Sequence, residues 1–201
     1  GMENMSLAPH LLSHRIGTKF GGSTLADSMQ KDGLLDAFDQ VAMGTFADAT
    51  AEKYQISREE QDNFAITSYQ RSAAAWESGT MAGEIVPVAV PQRRGEDVIV
   101  DTDEEFTQVK LDKIPKLRAA FSKEGTVTAA NASTINDGAA ALVLMSEAKA
   151  KTMGVEILGY IESYADAAQD PQCFTTAPAK ALPKALAKAE LTQEEIDLFE
   201  F

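Results

Sequence analysis

The residues able to do covalent chemistry in this 201-residue chain are few: one cysteine, Cys173, and two histidines, His10 and His14. A Cys–His couple needs the imidazole within hydrogen-bond reach of the thiol, so Cys173 would have to meet one of them across the fold. A lone cysteine is otherwise a small buried hydrophobe. His10 and His14 would share a face only on a helix. Ser13 and the glycine-rich sequel favour a loop, and with it a structural or solvated role. No CxxC, HExxH or Walker loop is present. The carboxylates are scattered, and "TDEEF" (102–106) reads as a solvated face rather than a paired acid/base site.

Positive charge, by contrast, is grouped. Lys110, Lys113, Lys116, Arg118 and Lys123 fall within fourteen residues of a chain whose formal net charge is -13. They lead directly into "GTVTAANASTINDGAAALVLM" (125–145). The first part of that stretch holds only small or short polar side chains, and Ala139 to Met145 reads as a buried strand. A basic rim beside a backbone stripped of bulk suits an elongated ligand with phosphates at one end. Charge-assisted bonds would hold the phosphates, and the backbone could approach a thin tail closely. The competing reading is a lysine-rich surface loop that balances local acids.

Several elements must position these groups. Residues 13–33 carry four glycines and read as an extended loop. A helix follows from Gly44, with Ala47, Ala51 and Tyr54 at helical spacing. Ser57 and Glu60, after apolar Ile56, form a capping box for a helix that passes Phe64, Tyr69 and Trp76 and stops at Gly79. "EIVPVAV" (84–90) and "DVIVD" (97–101) flank a turn at Arg94-Gly95 and predict a hairpin, with Pro87 and Pro91 marking an edge. Ser146 caps a short helix ended by Gly154, and "ILGYIESYA" (157–165) is a strand candidate. A loop through Asp170-Pro171 leads to a helix over 178–189. Thr192 and Glu195 cap a last short helix, and Leu198, Phe199 and Phe201 look like the start of a buried strand. The pattern is α/β, a core piece carrying a large insertion.

The composition sets limits. With 44% hydrophobic and 24% charged residues the chain is globular, and its acidity excludes a general nucleic-acid surface. A single cysteine permits no intrachain disulfide, and no apolar run reaches membrane-spanning length. These features point to a soluble cytoplasmic protein, with a mitochondrial location left open, and to no membrane or nucleic-acid partner. An apolar opening and a final segment that stops in mid-pattern suggest part of a larger protein.

A set of segments then resembles a known family. "GMENMSLAPH", "KDGLLDAF", "AMGTFADATAEKY", "SREEQDNFAITSYQRSAAAWESG", "EIVPV", "KIPKLRAAFSKEGTVTAANASTINDGAAALVLMS" and "DLFEF" are similar to biosynthetic-type thiolases over essentially the whole chain. "SYQRSAAAWESG" and Ala-Asp-Ala-Ala of 165–168 look most like the mitochondrial acetoacetyl-CoA type. The resemblance implies an incomplete thiolase fold, part of the layered α/β core carrying the loop-domain insertion. Residues 1–8 would end the N-terminal core half, and 9–121 would be the loop domain for coenzyme A (CoA) binding and oligomerisation. Residues 122–153 would return to the N-terminal half, and 154–201 would begin the C-terminal half.

It also implies condensation of two acetyl-CoA to acetoacetyl-CoA and CoA, or the reverse. CoA thioester would be the substrate, with no covalently bound cofactor. The family's nucleophilic cysteine, activating histidine and acid/base cysteine have no counterpart here, and Cys173 matches neither cysteine. By the same resemblance Leu34, Met43, Lys113, Phe121, Ala132, Ser133, Ile135 and Phe174 would line the CoA site, Lys113 at the phosphate end and Ser133 at the pantetheine amide. Tyr69, Ala129, Ala130 and Ala132 match a potassium site. Ala42 stands where many members have a histidine, and the chain is one residue short between Phe106 and Lys110. The implied partners are acetyl-CoA or CoA, further copies in a homo-oligomer, and the missing thiolase segments or a complementary chain. A non-catalytic CoA-binding module and one half of a split thiolase are the alternatives.

Overall fold

Ser57 starts the longest helix as its sequence predicts. The computed structural model describes residues 1–200, and α2 within it runs Arg58–Glu77. The Ser57 hydroxyl accepts from the Glu60 amide at 3.2 Å, and the Glu60 carboxylate accepts the Ser57 amide at 2.7 Å. Two otherwise orphaned donors are thereby satisfied. Ser78 and then Gly79, at a left-handed φ of 73°, end the helix. The preceding helix, α1, spans Met43–Lys53.

The Glu60 carboxyl is held below its usual range by the Ser57 amide first and the Ser57 hydroxyl second. A depressed carboxyl contributes stability above its unfolded pKa and loses it as pH falls through the folded one. Acid titration of the helical circular dichroism signal from neutral pH downward checks this. Glu60→Gln is expected to flatten the loss below the ordinary value of 4.5. Superimposable curves would mean that the carboxylate adds nothing to the helix.

The chain divides into two compact units, Ala51–Thr134 and Gly1–Thr50 with Ile135–Phe201. In the first, α2 is followed by the hairpin β4 (Val88–Val90) and β5 (Val98–Val100), antiparallel with Ala89 opposite Ile99. Gly95 turns it at φ 90°, a conformation that a side chain would strain. Helix α3 (Glu105–Gln108) is pinned to α2 by Trp76 stacked on Phe106 and by the Tyr69 hydroxyl donating to Glu105 at 3.3 Å. A 3₁₀ segment, Leu111–Lys116, follows. Ile114, Val127, Ala65 and Ala51 are the buried apolar residues of this unit.

The second unit pairs β1 (Met2–Asn4) with β6 (Asp137–Ala139), and β2 (His10–Leu12) with β3 (Leu25–Asp27), both antiparallel. Asp137 accepts the Ser6 amide at 2.9 Å, which lowers its pKa and fastens the end of β1. Helix α4 (Glu147–Met153) is capped by Ser146 and ended by Gly154, as its sequence predicts. Helix α5 (Ala177–Ala189) precedes a capping box of Thr192 and Glu195 on a 3₁₀ turn.

Four expectations need correction. The loop over 13–33 contains β3 and the start of a π-helical turn, Gln30–Leu34. Of the strand expected over Ala139 to Met145, only Ala139, opposite Met2, and Ala140, bonded both ways to Gly1, are paired. Leu142, Val143 and Leu144 are 84%, 86% and 73% exposed. The stretch 157–165 is no ladder strand either, and Leu158, Ile161 and Tyr164 are exposed. Leu198 and Phe199 form no strand, and Phe201 lies outside the described residues. The reason is common to the last three. A strand exists only where a second backbone supplies its donors and acceptors, and no described strand forms a ladder with 141–145, 157–165 or 198–199.

Segment 157–169 is fastened to α5 by side chains instead. Ser163 donates to the Ala185 carbonyl at 2.7 Å, while Lys184 and Lys188 donate to the carbonyls of Asp166 and Tyr164.

Candidate functional site

The small-residue stretch owes its shape to a polar network at the N-terminus of α2. Asp62, 3% exposed, accepts from Arg58 Nε at 2.7 Å and from Asn131 Nδ2 at 3.0 Å. Asn131 also donates to the Thr126 carbonyl at 3.1 Å and accepts the Thr128 amide at 2.7 Å. The hydroxyl of Thr128, fully buried, accepts the amides of Ala130 and Asn131 at 3.3 Å. The Ala132 amide then bonds the Thr128 carbonyl at 3.0 Å, closing one turn over 128–132. Gln61 donates to the Thr126 hydroxyl at 2.9 Å. No buried side-chain nitrogen or oxygen among the described residues lacks a hydrogen-bond partner, which a buried network requires if it is to stabilise. Ser133 is left exposed just beyond it.

Arg58 reaches the other way as well. One terminal guanidinium nitrogen donates to the carbonyls of Ile114 and Leu117, each at 3.0 Å. Those residues frame the basic segment. Lys110, Lys113, Lys116, Arg118 and Lys123 are all exposed, and none forms an ion pair among the described residues. Phe121 is 42% exposed beside this segment, whose backbone is held by the Ala120 amide on the Val127 carbonyl at 2.8 Å.

In the other unit, the antiparallel bridge between Leu35 and Ala42 brings Leu34 and Met43 to one end of a loop. Phe46 follows Met43 on the same face of α1, and Phe174 meets it edge-on with ring centroids 6.5 Å apart. Thr50 and Thr175 share a hydrogen bond of 2.6 Å, and Gln172 donates to Asp39 at 2.7 Å, so the Phe174 turn is clamped to α1. Leu34, Met43 and Phe174 thus gather around the start of that helix. Ile135, 58% exposed, joins no described contact with them.

Chemistry by Cys173 finds no support in the geometry. Its carbonyl accepts from Gln169, and among the described residues neither histidine bonds it. His10 sits on β2, while His14 pairs with the Thr18 hydroxyl at 3.5 Å. No described group of three or more His, Cys, Asp or Glu side chains could hold a metal ion. Tyr69 donates to Glu105, and its own pKa is raised, by burial first and the Glu105 carboxylate second. The carbonyls of Ala129, Ala130 and Ala132 accept no hydrogen bond among the described residues.

The network of Arg58, Asp62, Thr128 and Asn131 went unread in the sequence. An Arg–Asp pair at i,i+4 on a capped helix was its one local sign.

What fold and site define is an α/β protein with a cationic surface beside a bulk-free turn. Residues 1–148 match the family described as Thiolase, N-terminal domain, and residues 155–201 match Thiolase, C-terminal domain. The chain belongs to the thiolase family. Acetyl-CoA acetyltransferase B, mitochondrial, of Xenopus laevis is 52% identical over 201 residues, 100% of this chain and 48% of that protein. The Bos taurus mitochondrial acetyl-CoA acetyltransferase is 49% identical, over 100% of this chain and 47% of its own length. The crystal structure of the Bacillus anthracis acetyl-CoA acetyltransferase superposes with a TM-score of 0.93 at 38% identity, covering 98% of this chain and 50% of that one. The chain therefore spans about half the length of these relatives and carries part of the thiolase α/β fold. No described helix is long and apolar enough to cross a membrane.

Proposed function

We propose that this chain supplies the CoA-binding part of an acetyl-CoA acetyltransferase, condensing two acetyl-CoA to acetoacetyl-CoA and CoA or running the reverse. The observation that carries this reading is the unpaired basic segment beside the closed turn at 128–132. Lys113 would meet the phosphates, with Phe121, Ala132, Ser133 and Ile135 along the pantetheine arm. Leu34, Met43 and Phe174 would form the apolar wall near the acyl end. The insertion 9–121 would carry the CoA and oligomer contacts between core pieces 1–8, 122–153 and 154–201. In the proposed enzyme this chain binds and orients the thioester. The nucleophilic thiolate, the histidine that activates it and the second thiol that moves the α-proton come from the remaining thiolase segments. The chain alone is then inactive.

Exposed, ladderless segments at 141–145 and 158–164 support the missing thiolase segments or a complementary chain as their partner, since two extended runs rich in Leu, Val and Ile are costly to leave in water. Tyr69 and the carbonyls of Ala129, Ala130 and Ala132 fit a potassium ion in donor type. They offer neutral oxygens with no competing hydrogen bond at the three carbonyls among the described residues. Bound there, the ion would stiffen the turn electrostatically. A mitochondrial location is supported by the names of the Xenopus laevis and Bos taurus relatives, while homo-oligomerisation and the cytoplasmic alternative rest on the family resemblance alone.

Calorimetric titration with CoA, with thiolysis of acetoacetyl-CoA followed on the same sample, tests the reading. Binding without turnover is expected. Turnover by the chain alone would overturn it and return suspicion to Cys173. Lys113→Glu is expected to weaken CoA about tenfold more than dephospho-CoA, the size of one reversed charge contact at a partly screened site. Equal loss for both ligands would remove Lys113 from the terminal phosphate.

A further inference from the structure

We infer that Arg58 and Asn131, joined through Asp62, are positioning residues that set the distance between the phosphate-binding and the arm-binding segments. The inference rests on the CoA-binding reading above and deepens it. Neither residue is placed against the ligand. What they hold are the two stretches of backbone that would be.

Arg58 is the only described side chain that bonds both the carbonyls of the basic segment and the acid beneath the turn. Its guanidinium is planar, so the direction toward Ile114 and Leu117 is fixed relative to the direction toward Asp62. Asp62 passes that constraint on by accepting from Asn131 with its other oxygen. Asn131 uses both ends of its amide, its nitrogen on Asp62 and the Thr126 carbonyl, its oxygen on the Thr128 amide. Helix α2, capped at Ser57 immediately before Arg58, is the rigid base from which both arms extend. A flexible ligand gains affinity when its two contact regions are already correctly spaced. No covalent step is involved, only the cost of ordering two loops.

Such a device predicts distinct effects from its two ends. Arg58→Lys keeps a cation for Asp62 but cannot reach both carbonyls, so it frees the basic segment. It should weaken CoA about tenfold and dephospho-CoA about threefold or less, the scale of one or two lost charge-assisted hydrogen bonds. Asn131→Ala frees the turn instead and should weaken CoA and dephospho-CoA by equal factors. A loss of folded protein would lower every affinity in proportion and could not give two signatures.

The experiment is titration calorimetry of the wild-type chain and both variants with the two ligands. Hydrogen exchange of segments 110–118 and 126–133 is followed on the ligand-free proteins. Faster exchange in both segments for Arg58→Lys, with the hairpin of β4 and β5 unchanged, is the expected companion result. If wild type binds CoA and either variant keeps its affinity, the positioning role is wrong while CoA binding stands. The positioning role falls equally if both variants lose the two ligands in the same ratio, or if exchange in the two segments is unaltered. If the wild-type chain binds no CoA, the functional reading itself fails and takes the positioning role with it.

Discussion

Ile114→Ala is expected to cost the 51–134 unit about 3 kcal/mol, the usual scale for removing a fully buried branched side chain and leaving a cavity. Ile114 is 1% exposed and sits in a 3₁₀ segment that contains Pro115. Such a segment has few hydrogen bonds of its own, so it is held in place by its side chain and by Arg58 on its carbonyl. Few large apolar residues share that unit's interior; Val127, Ala65 and Ala51 are its other buried apolar members among the described residues. A core this small cannot repack around the loss, and the denaturant midpoint should fall accordingly with little change in slope. A cost below about 1 kcal/mol would place Ile114 at a tolerant surface rather than at the centre of the unit.

Asp62→Ala should be comparably severe and for a different reason. Asp62 is 3% exposed and accepts from Arg58 and Asn131, so its removal leaves the Arg58 Nε–H and one Asn131 N–H without their acceptors. Breaking a buried pair from one side costs about 3 kcal/mol, because the surviving cation loses its counter-charge and keeps only carbonyl partners. Arg58 is 26% exposed, and access to water will relieve part of that. Asp62→Asn keeps an acceptor oxygen but loses the charge, so it should fall between wild type and Asp62→Ala. Chemical denaturation of the three proteins orders them. Asn can accept from only one of the two donors, so equal stability of Asp62→Asn and Asp62→Ala would show that a single neutral acceptor there contributes nothing. Equal stability of Asp62→Asn and wild type would show that neither the charge nor the second hydrogen bond matters.

Both residues bear on how CoA would be bound. The unit's stability and the shape of its proposed ligand surface depend on the same few side chains beneath the turn. Enzymes hold such sites on rigid elements with a supporting shell, since a loop misplaced by about 1 Å loses much of its binding advantage. In this chain the supporting shell is one turn of α2.

The sequence by itself determined the local pieces. Ser57 with Glu60, Ser146 with Gly154, and Thr192 with Glu195 are start and stop signals that act within a few residues, and each helix lies where they put it. The hairpin of β4 and β5 was legible for the same reason, because its turn at Gly95 joins strands adjacent in the chain. The small-residue stretch and the basic cluster were legible as composition, and the thiolase resemblance as a set of motifs. What the sequence could not decide is pairing between distant segments. Ala139 to Met145 has the apolar content of a core strand, yet only Ala139 and Ala140 are paired, and no described backbone forms a ladder with 141–145. Asn131 reads locally as a turn residue, yet 69 residues separate it from the Asp62 that fixes it. Propensity acts between neighbours in the chain, while a ladder or a buried network needs a partner from elsewhere in space. Only the tertiary structure decides which partner that is, and whether there is one.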